Sequence, residues 1–223
     1  MYVPATPALT VTALPPNAIA AEEAAQPPVT VAPQPTRLHI RSALLNVLDG
    51  RTASVAGSLR VTARRDTSQP EVAAHTVVLQ ARERHGWRTI AAARTGAHGR
   101  FRLRHRADRI GSERLRVRFA GAPGEDGSER AMGRLNVYRL AEASWYGGEG
   151  SLACGGWLTS ATMGVANKTL PCGTLVTLRY DGRTVRVPVV DRGPYVAGRE
   201  YDLTEATKRA LGFEGVGEVW ATS

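Results

Sequence analysis

Asp191 is the side chain best placed to do chemistry. It follows the apolar run Val185–Val190 and precedes Arg192-Gly193-Pro194, so a strand delivers it to a turn at the edge of a core. A carboxyl in that position acts as an acid/base, binds a ligand, or serves structurally by accepting turn N–H bonds or pairing with Arg192. Asp202 stands ahead of a helical pattern, where it caps the helix, positions a ligand or supports Asp191. Trp145, Tyr146, Tyr195 and Tyr201 offer planar faces for stacking or for filling a core, and Tyr195 lies in the turn after Asp191. The histidines, His39, His75, His85, His98 and His105, all precede Cys154 and Cys172. No local Cys/His set for zinc or for a nucleophile results, and neither a metal nor a cofactor is expected.

Around these residues the pattern is a small, mostly β unit. Leu175–Tyr180 and Thr184–Val190 flank Asp181-Gly182, a strong hairpin signal. Leu203–Leu211 reads as one helix, with Thr204 able to cap it, Lys208 and Arg209 in its last turn and Gly212 to end it. Val216–Trp220 reads as a closing strand. Upstream, Leu38–Leu140 shows about seven short β runs punctuated by glycine and no helix, which reads as an immunoglobulin-like β-sandwich. Residues 1–37 are rich in Ala and Pro and read as an extended or disordered segment. An export signal there is unconvincing, because no basic region precedes Ala8–Leu14 and Pro15-Pro16 cuts that stretch. No run is long and apolar enough for a transmembrane helix.

The formal charge of +9 is concentrated in the middle. Residues 37–139 hold 21 Arg against 9 acidic residues, whereas residues 140–223 hold 8 Lys and Arg against 9 acidic ones. Arg100, Arg102, Arg104 and Arg106, then Arg114, Arg116 and Arg118, occupy alternate positions of two strands, so each strand has one apolar and one cationic face. Such a face is either a solvated exterior or an adhesive surface for anionic wall polymers. No aromatic platform interleaves the arginines, which argues against specific recognition of nucleic acid.

Four motifs then occur in order: Ala143-Ser144-Trp145-Tyr146-Gly147, Asn167-Lys168-Thr169-Leu170-Pro171-Cys172-Gly173-Thr174, Val190-Asp191-Arg192-Gly193-Pro194-Tyr195 and Tyr201-Asp202-Leu203-Thr204. Together they resemble the rare lipoprotein A (RlpA-like) family, over about 80 residues. The resemblance implies a six-stranded double-psi β-barrel for residues 141–223, following the sandwich of 38–140. It implies export to an extracytoplasmic or wall-associated location and, with export, a disulfide between Cys154 and Cys172. It places Asp191 on the family's candidate catalytic aspartate, with Asp202 as a second candidate. Asn167, Tyr195, Trp145, Tyr146 and Arg192 become candidate contacts to a peptidoglycan or other cell-wall glycan.

Two departures from the resemblance bear on activity. Active relatives usually carry a histidine before Lys-Thr-Leu-Pro and an upstream glutamate, and Asn167 and Gly156 stand at those positions here. Two readings follow. One is a lytic transglycosylase with Asp191 as acid/base; the other is an expansin-like module that binds and loosens wall polysaccharide without cutting it. A barwin-type inhibitor or defence role has only the shared fold behind it.

Overall fold

The computed structural model describes residues 32–62 and 74–223 of the chain. The N-terminal reading, with its unconvincing export signal, falls on residues outside these up to residue 31. The protein is mainly β. Its first eight strands are β1 (Thr36–Leu44), β2 (Asn46–Leu48), β3 (Thr52–Val61), β4 (Thr76–Glu83), β5 (Gly86–Arg94), β6 (Arg100–Arg106), β7 (Gly111–Phe119) and β8 (Ser128–Tyr146). β1, β3 and β6 form one antiparallel sheet, while β5, β4, β7 and β8 pair in that order in another, with β2 added parallel to β8.

Alternation along these strands makes the two layers. Val55 and Leu59 of β3 and Phe101 and Leu103 of β6 point into the same buried cluster as Val77 and Leu79 of β4 and Leu115 and Val117 of β7. Burying such side chains contributes about 1.5–3 kcal/mol each. Since β6 and β7 both send apolar side chains inward from different sheets, their two sets of arginines face outward on opposite sides. The seven alternating arginines therefore do not share a face.

β8 does not stop where the composition changes. It runs on through Arg139 and Leu140 to Tyr146 and becomes part of a second set of strands. These are β9 (Gly150–Ser151), β10 (Trp157–Leu158), β11 (Val165–Ala166), β12 (Leu175–Tyr180), β13 (Arg183–Asp191), β14 (Tyr201–Thr204) and β15 (Gly217–Ala221). β8, β14, β11, β13, β12 and β15 hydrogen-bond in sequence, and β15 returns to β8, closing a ring of six. Inside lie Val165, Val176, Leu178, Val187, Val189, Leu203 and Val219. β12 and β13 turn at Asp181-Gly182, where both residues have positive φ, 42° and 79°, as the sequence pattern requires. The helix α1 (Glu205–Leu211) begins two residues later than the periodicity suggests, because 201–204 are drawn into the ring as β14. Thr204 caps it by accepting from the Thr207 N–H, and Gly212 ends it in the left-handed conformation.

Candidate functional site

β13 carries Asp191 to the rim of the ring. Its Oδ1 accepts two backbone hydrogen bonds, from Ala153 N at 2.9 Å and Arg192 N at 2.8 Å. The carboxylate is thus anchored through one oxygen. Two loops press on this position from either side. The hairpin β9–β10 supplies Ala153 and also sends Cys154 N to Val190 O at 3.2 Å. The 167–173 loop sends Asn167 N to Asp191 O at 3.1 Å.

A disulfide between Cys154 and Cys172, with Cα atoms 5.5 Å apart, ties those loops together. A cross-link over 18 residues stabilises a small fold by about 3 kcal/mol in the chain-entropy account. Here it also fixes the backbone that grips Asp191. Arg192 braces the same loop. Its guanidinium donates to Asn167 O at 3.1 Å, to Leu170 O at 2.9 Å and to Cys172 Sγ at 3.1 Å. The cation is thus committed to the loop and not to the neighbouring carboxylate.

Asn167 is equally committed. Its Oδ1 accepts from Thr169 N at 3.0 Å and Leu170 N at 2.8 Å, and its Nδ2 donates to Glu200 O at 3.0 Å. The side chain is buried and shapes the turn, with one amide hydrogen left over.

Strand register places the remaining groups. Ala166 pairs with Asp191 on one side and with Asp202 on the other, and Asp202 pairs with Ser144. Directly opposed residues share a face, so Asp191 and Asp202 look the same way across a methyl group. Two interstrand steps put their Cα atoms about 10 Å apart. Asp202 Oδ1 accepts from Ser144 Oγ, a short contact that orients it. Tyr146, two residues on from Ser144, falls on the same face. Its hydroxyl is buried and makes no hydrogen bond of ordinary geometry. Burial first, then the charge and proximity of Asp191, then Asp202, push its phenol well above the ordinary value. Tyr146 therefore keeps its proton at neutral pH.

The other aromatics divide. Tyr195 is 82% exposed, in the turn after Asp191 that contains a cis Gly193-Pro194 bond. Trp145 alternates to the opposite face, where Lys208 Nζ lies 4.2 Å from its ring centre. It is not grouped with Asp191. Tyr201 is fully buried and bonds the chain end through Ser223 O. Sequence reading overlooks Trp157, which is 61% exposed on β10 beside the segment that grips Asp191. The signal available was an aromatic following Gly155-Gly156 next to a bridged cysteine.

Residues 139–220 match the family described as lytic transglycolase. This segment is an RlpA-like domain. Its six-strand ring fits the double-psi β-barrel of that family. The domain resembles a probable endolytic peptidoglycan transglycosylase RlpA of Aquifex aeolicus, 39% identical over 94 residues that cover 40% of this chain and 40% of the relative. Proteins given the same description in Synechocystis and Nostoc are each 40% identical, over 34% of this chain and 26% and 22% of their own lengths. The chain thus spans well under half of these curated relatives. A solved structure, the Streptomyces papain inhibitor, is 23% identical with a TM-score of 0.32, covering 38% of this chain and 92% of that one.

Proposed function

We propose that the RlpA-like domain acts on peptidoglycan glycan strands outside the cytoplasm as a lytic transglycosylase, with Asp191 as its acid/base. The peptidoglycan transglycosylase description of its relatives supports the substrate. The observation that carries the residue assignment is the anchoring of Asp191 at the strand end, with Oδ1 fixed by two N–H groups. In the proposed reaction the carboxyl proton passes to the glycosidic oxygen as the C–O bond breaks. The resulting carboxylate takes the proton of the sugar's own 6-hydroxyl, whose oxygen bonds to the anomeric carbon and gives a 1,6-anhydro end. No water and no second carboxylate nucleophile enter. The exposed Tyr195 and Trp157 offer ring faces for pyranoses, and Asp202 steadies the site through Ser144. An immunoglobulin-like sandwich over 38–140 carries the domain, which begins near residue 141.

A second reading, binding without cleavage, is favoured by Asn167, whose amide shapes a turn and cannot carry a proton. Mass spectrometry of purified sacculi after incubation separates the two. Anhydro-muropeptides are expected with the parent, and turnover should fall by roughly 10²-fold or more in Asp191→Asn. Asp202→Asn should cost less activity and more stability. Sacculus binding with no anhydro products would establish the binding module instead.

A further inference from the structure

The sheet β1-β3-β6 carries a set of charges that no acidic side chain among the described residues pairs with. Its strands contain Arg37, Arg41, Arg60, Arg100, Arg102, Arg104 and Arg106 and no acidic residue. The other sheet is different. It carries acidic residues among its cations, and three of the nine arginines on β4, β5, β7 and β8 are ion-paired, Arg88 with Glu83 and Glu113, Arg116 with Glu129, and Arg139 with Glu200, while Arg116 also lies over the Trp87 ring. Among the described residues, the side chains of Arg100, Arg102, Arg104 and Arg106 make no ion pair and no hydrogen bond within the protein.

The geometry of this face is that of a lined trough. Arg100, Arg102, Arg104 and Arg106 stand opposite Ser58, Ala56, Ser54 and Thr52 of β3, so a row of long cations borders a floor of small side chains. Alternate residues of a strand are about 6.7 Å apart, which sets the interval between charges. At one end a depression of about 330 Å³ is lined by Arg41, Arg94, Arg100 and Arg102 above Ala56 and Gly57. In the floor, Ser58 is 4% exposed, sits between Arg100 and His39 in register, and its hydroxyl has no hydrogen-bond partner.

We propose that this face is a binding site for a linear phosphodiester-linked polyol polymer of the cell wall, held in extended form along β6. The proposal rests on the extracytoplasmic reading above for where such a polymer is met. Arginine forks suit phosphate oxygens, and a regular row suits a polymer with regularly spaced charges. The one Phe, Tyr or Trp of these three strands, Phe101, is 5% exposed with its side chain in the core, so the face offers no stacking platform for bases or for pyranose rings. Its exposed Leu44 is too little apolar surface for insertion into lipid.

The test is equilibrium binding of the full chain to poly(glycerol phosphate) over a series of salt concentrations, with polygalacturonate, anionic phospholipid vesicles and single-stranded DNA as competitors. The parent should bind the polyol phosphate in preference to all three. Arg102→Glu with Arg104→Glu should weaken binding tenfold or more, and Arg114→Glu with Arg118→Glu, the same charge change on the opposite face, should weaken it less than threefold. Arg102→Gln with Arg104→Gln guards against misfolding of the reversal and should lower the slope of log affinity against log salt by roughly 1–2. Equal losses from both faces, or equal or tighter binding of any competitor, would overturn the site. Because the readout is polymer binding, absence of anhydro-muropeptides leaves it standing, and loss of polymer binding leaves the glycan reading standing.

Discussion

At Asp191, side-chain direction decides more than residue type. The residue types around it are legible in the sequence: a carboxylate at a strand end, an arginine beside it, an asparagine upstream. Their orientations are not, because each is set by contacts with loops distant in the chain. Arg192 turns to three acceptors in the 167–172 segment, and Asn167 spends its amide within its own turn. Tyr146 is the residue whose role the fold adds. Its buried, unbonded hydroxyl is a cost in the free protein and a donor toward the Asp191 side of the site. Tyr146→Phe should therefore hold or raise stability, by up to about 1 kcal/mol, while turnover of sacculi falls. The pH dependence has a definite sign. A phenol raised in the folded state is stabilising below its ordinary value near 10, and that contribution is lost as pH rises from there toward the folded value. The parent's urea midpoint should thus drop above about pH 10 more steeply than that of Tyr146→Phe. A steeper drop in the variant, or a variant less stable at pH 7 with full activity, would mean that the hydroxyl serves the fold.

Among the elements, those whose signal is local are the ones a reader of the sequence recovers. The β12–β13 hairpin follows from Asp181-Gly182, and the cap and stop of α1 from Thr204 and Gly212. What escapes is set by long-range pairing. β1 and β2 lack clean alternation and are strands because β3 and β8 pair with them. β11 is two residues long and exists only between β13 and β14, yet it separates the two aspartates. The approach to β11 is equally dependent on its neighbours. Gly164 receives both threonine hydroxyls of the α1 cap, at Thr204 and Thr207, and a Cβ there would lie 2.4 Å from Val190 Cγ2. Val190 is too short to swing clear, and it precedes Asp191. Gly164→Ala should therefore destabilise by about 1–3 kcal/mol, as overpacking does, and reduce turnover further than the lost stability explains. Denaturant midpoints beside sacculus turnover at a temperature where the variant is fully folded would show it; an unchanged midpoint would mean that the strand yields without cost.

For the molecule as a whole, composition and structure divide the chain differently. Charge separates an arginine-rich stretch from a near-neutral one at about residue 140, and the two hydrophobic clusters do draw on residues up to Val137 and from Ala141 onward. The backbone ignores that boundary, because β8 pairs with β7 and β2 before it and with β15 and β14 after it. Side chains reinforce the join. Tyr138 is fully buried, packs on Trp220 of β15 with ring centres 5.7 Å apart, and donates its hydroxyl to Asn46 Oδ1 at 2.8 Å. Asn46 also accepts from Asn136, so β2, β8 and β15 meet at one aromatic ring. Registers on both sides of a continuous strand cannot slip independently, so the β5-β4-β7-β8 sheet and the ring that carries Asp191 are held on one frame. Heating should accordingly give a single calorimetric transition, with circular dichroism and tryptophan fluorescence coinciding. Tyr138→Ala removes a large buried ring, which costs about 3–5 kcal/mol by analogy with Phe→Ala, and leaves Asn46 short of a donor. That variant should melt at lower temperature and in two steps, the 38–137 layers separating from the six-strand ring. Tyr138→Phe, which keeps the ring, should retain one step at a slightly lower midpoint. Two transitions in the parent, or one in Tyr138→Ala at an unchanged midpoint, would show that β8 joins the halves without coupling them.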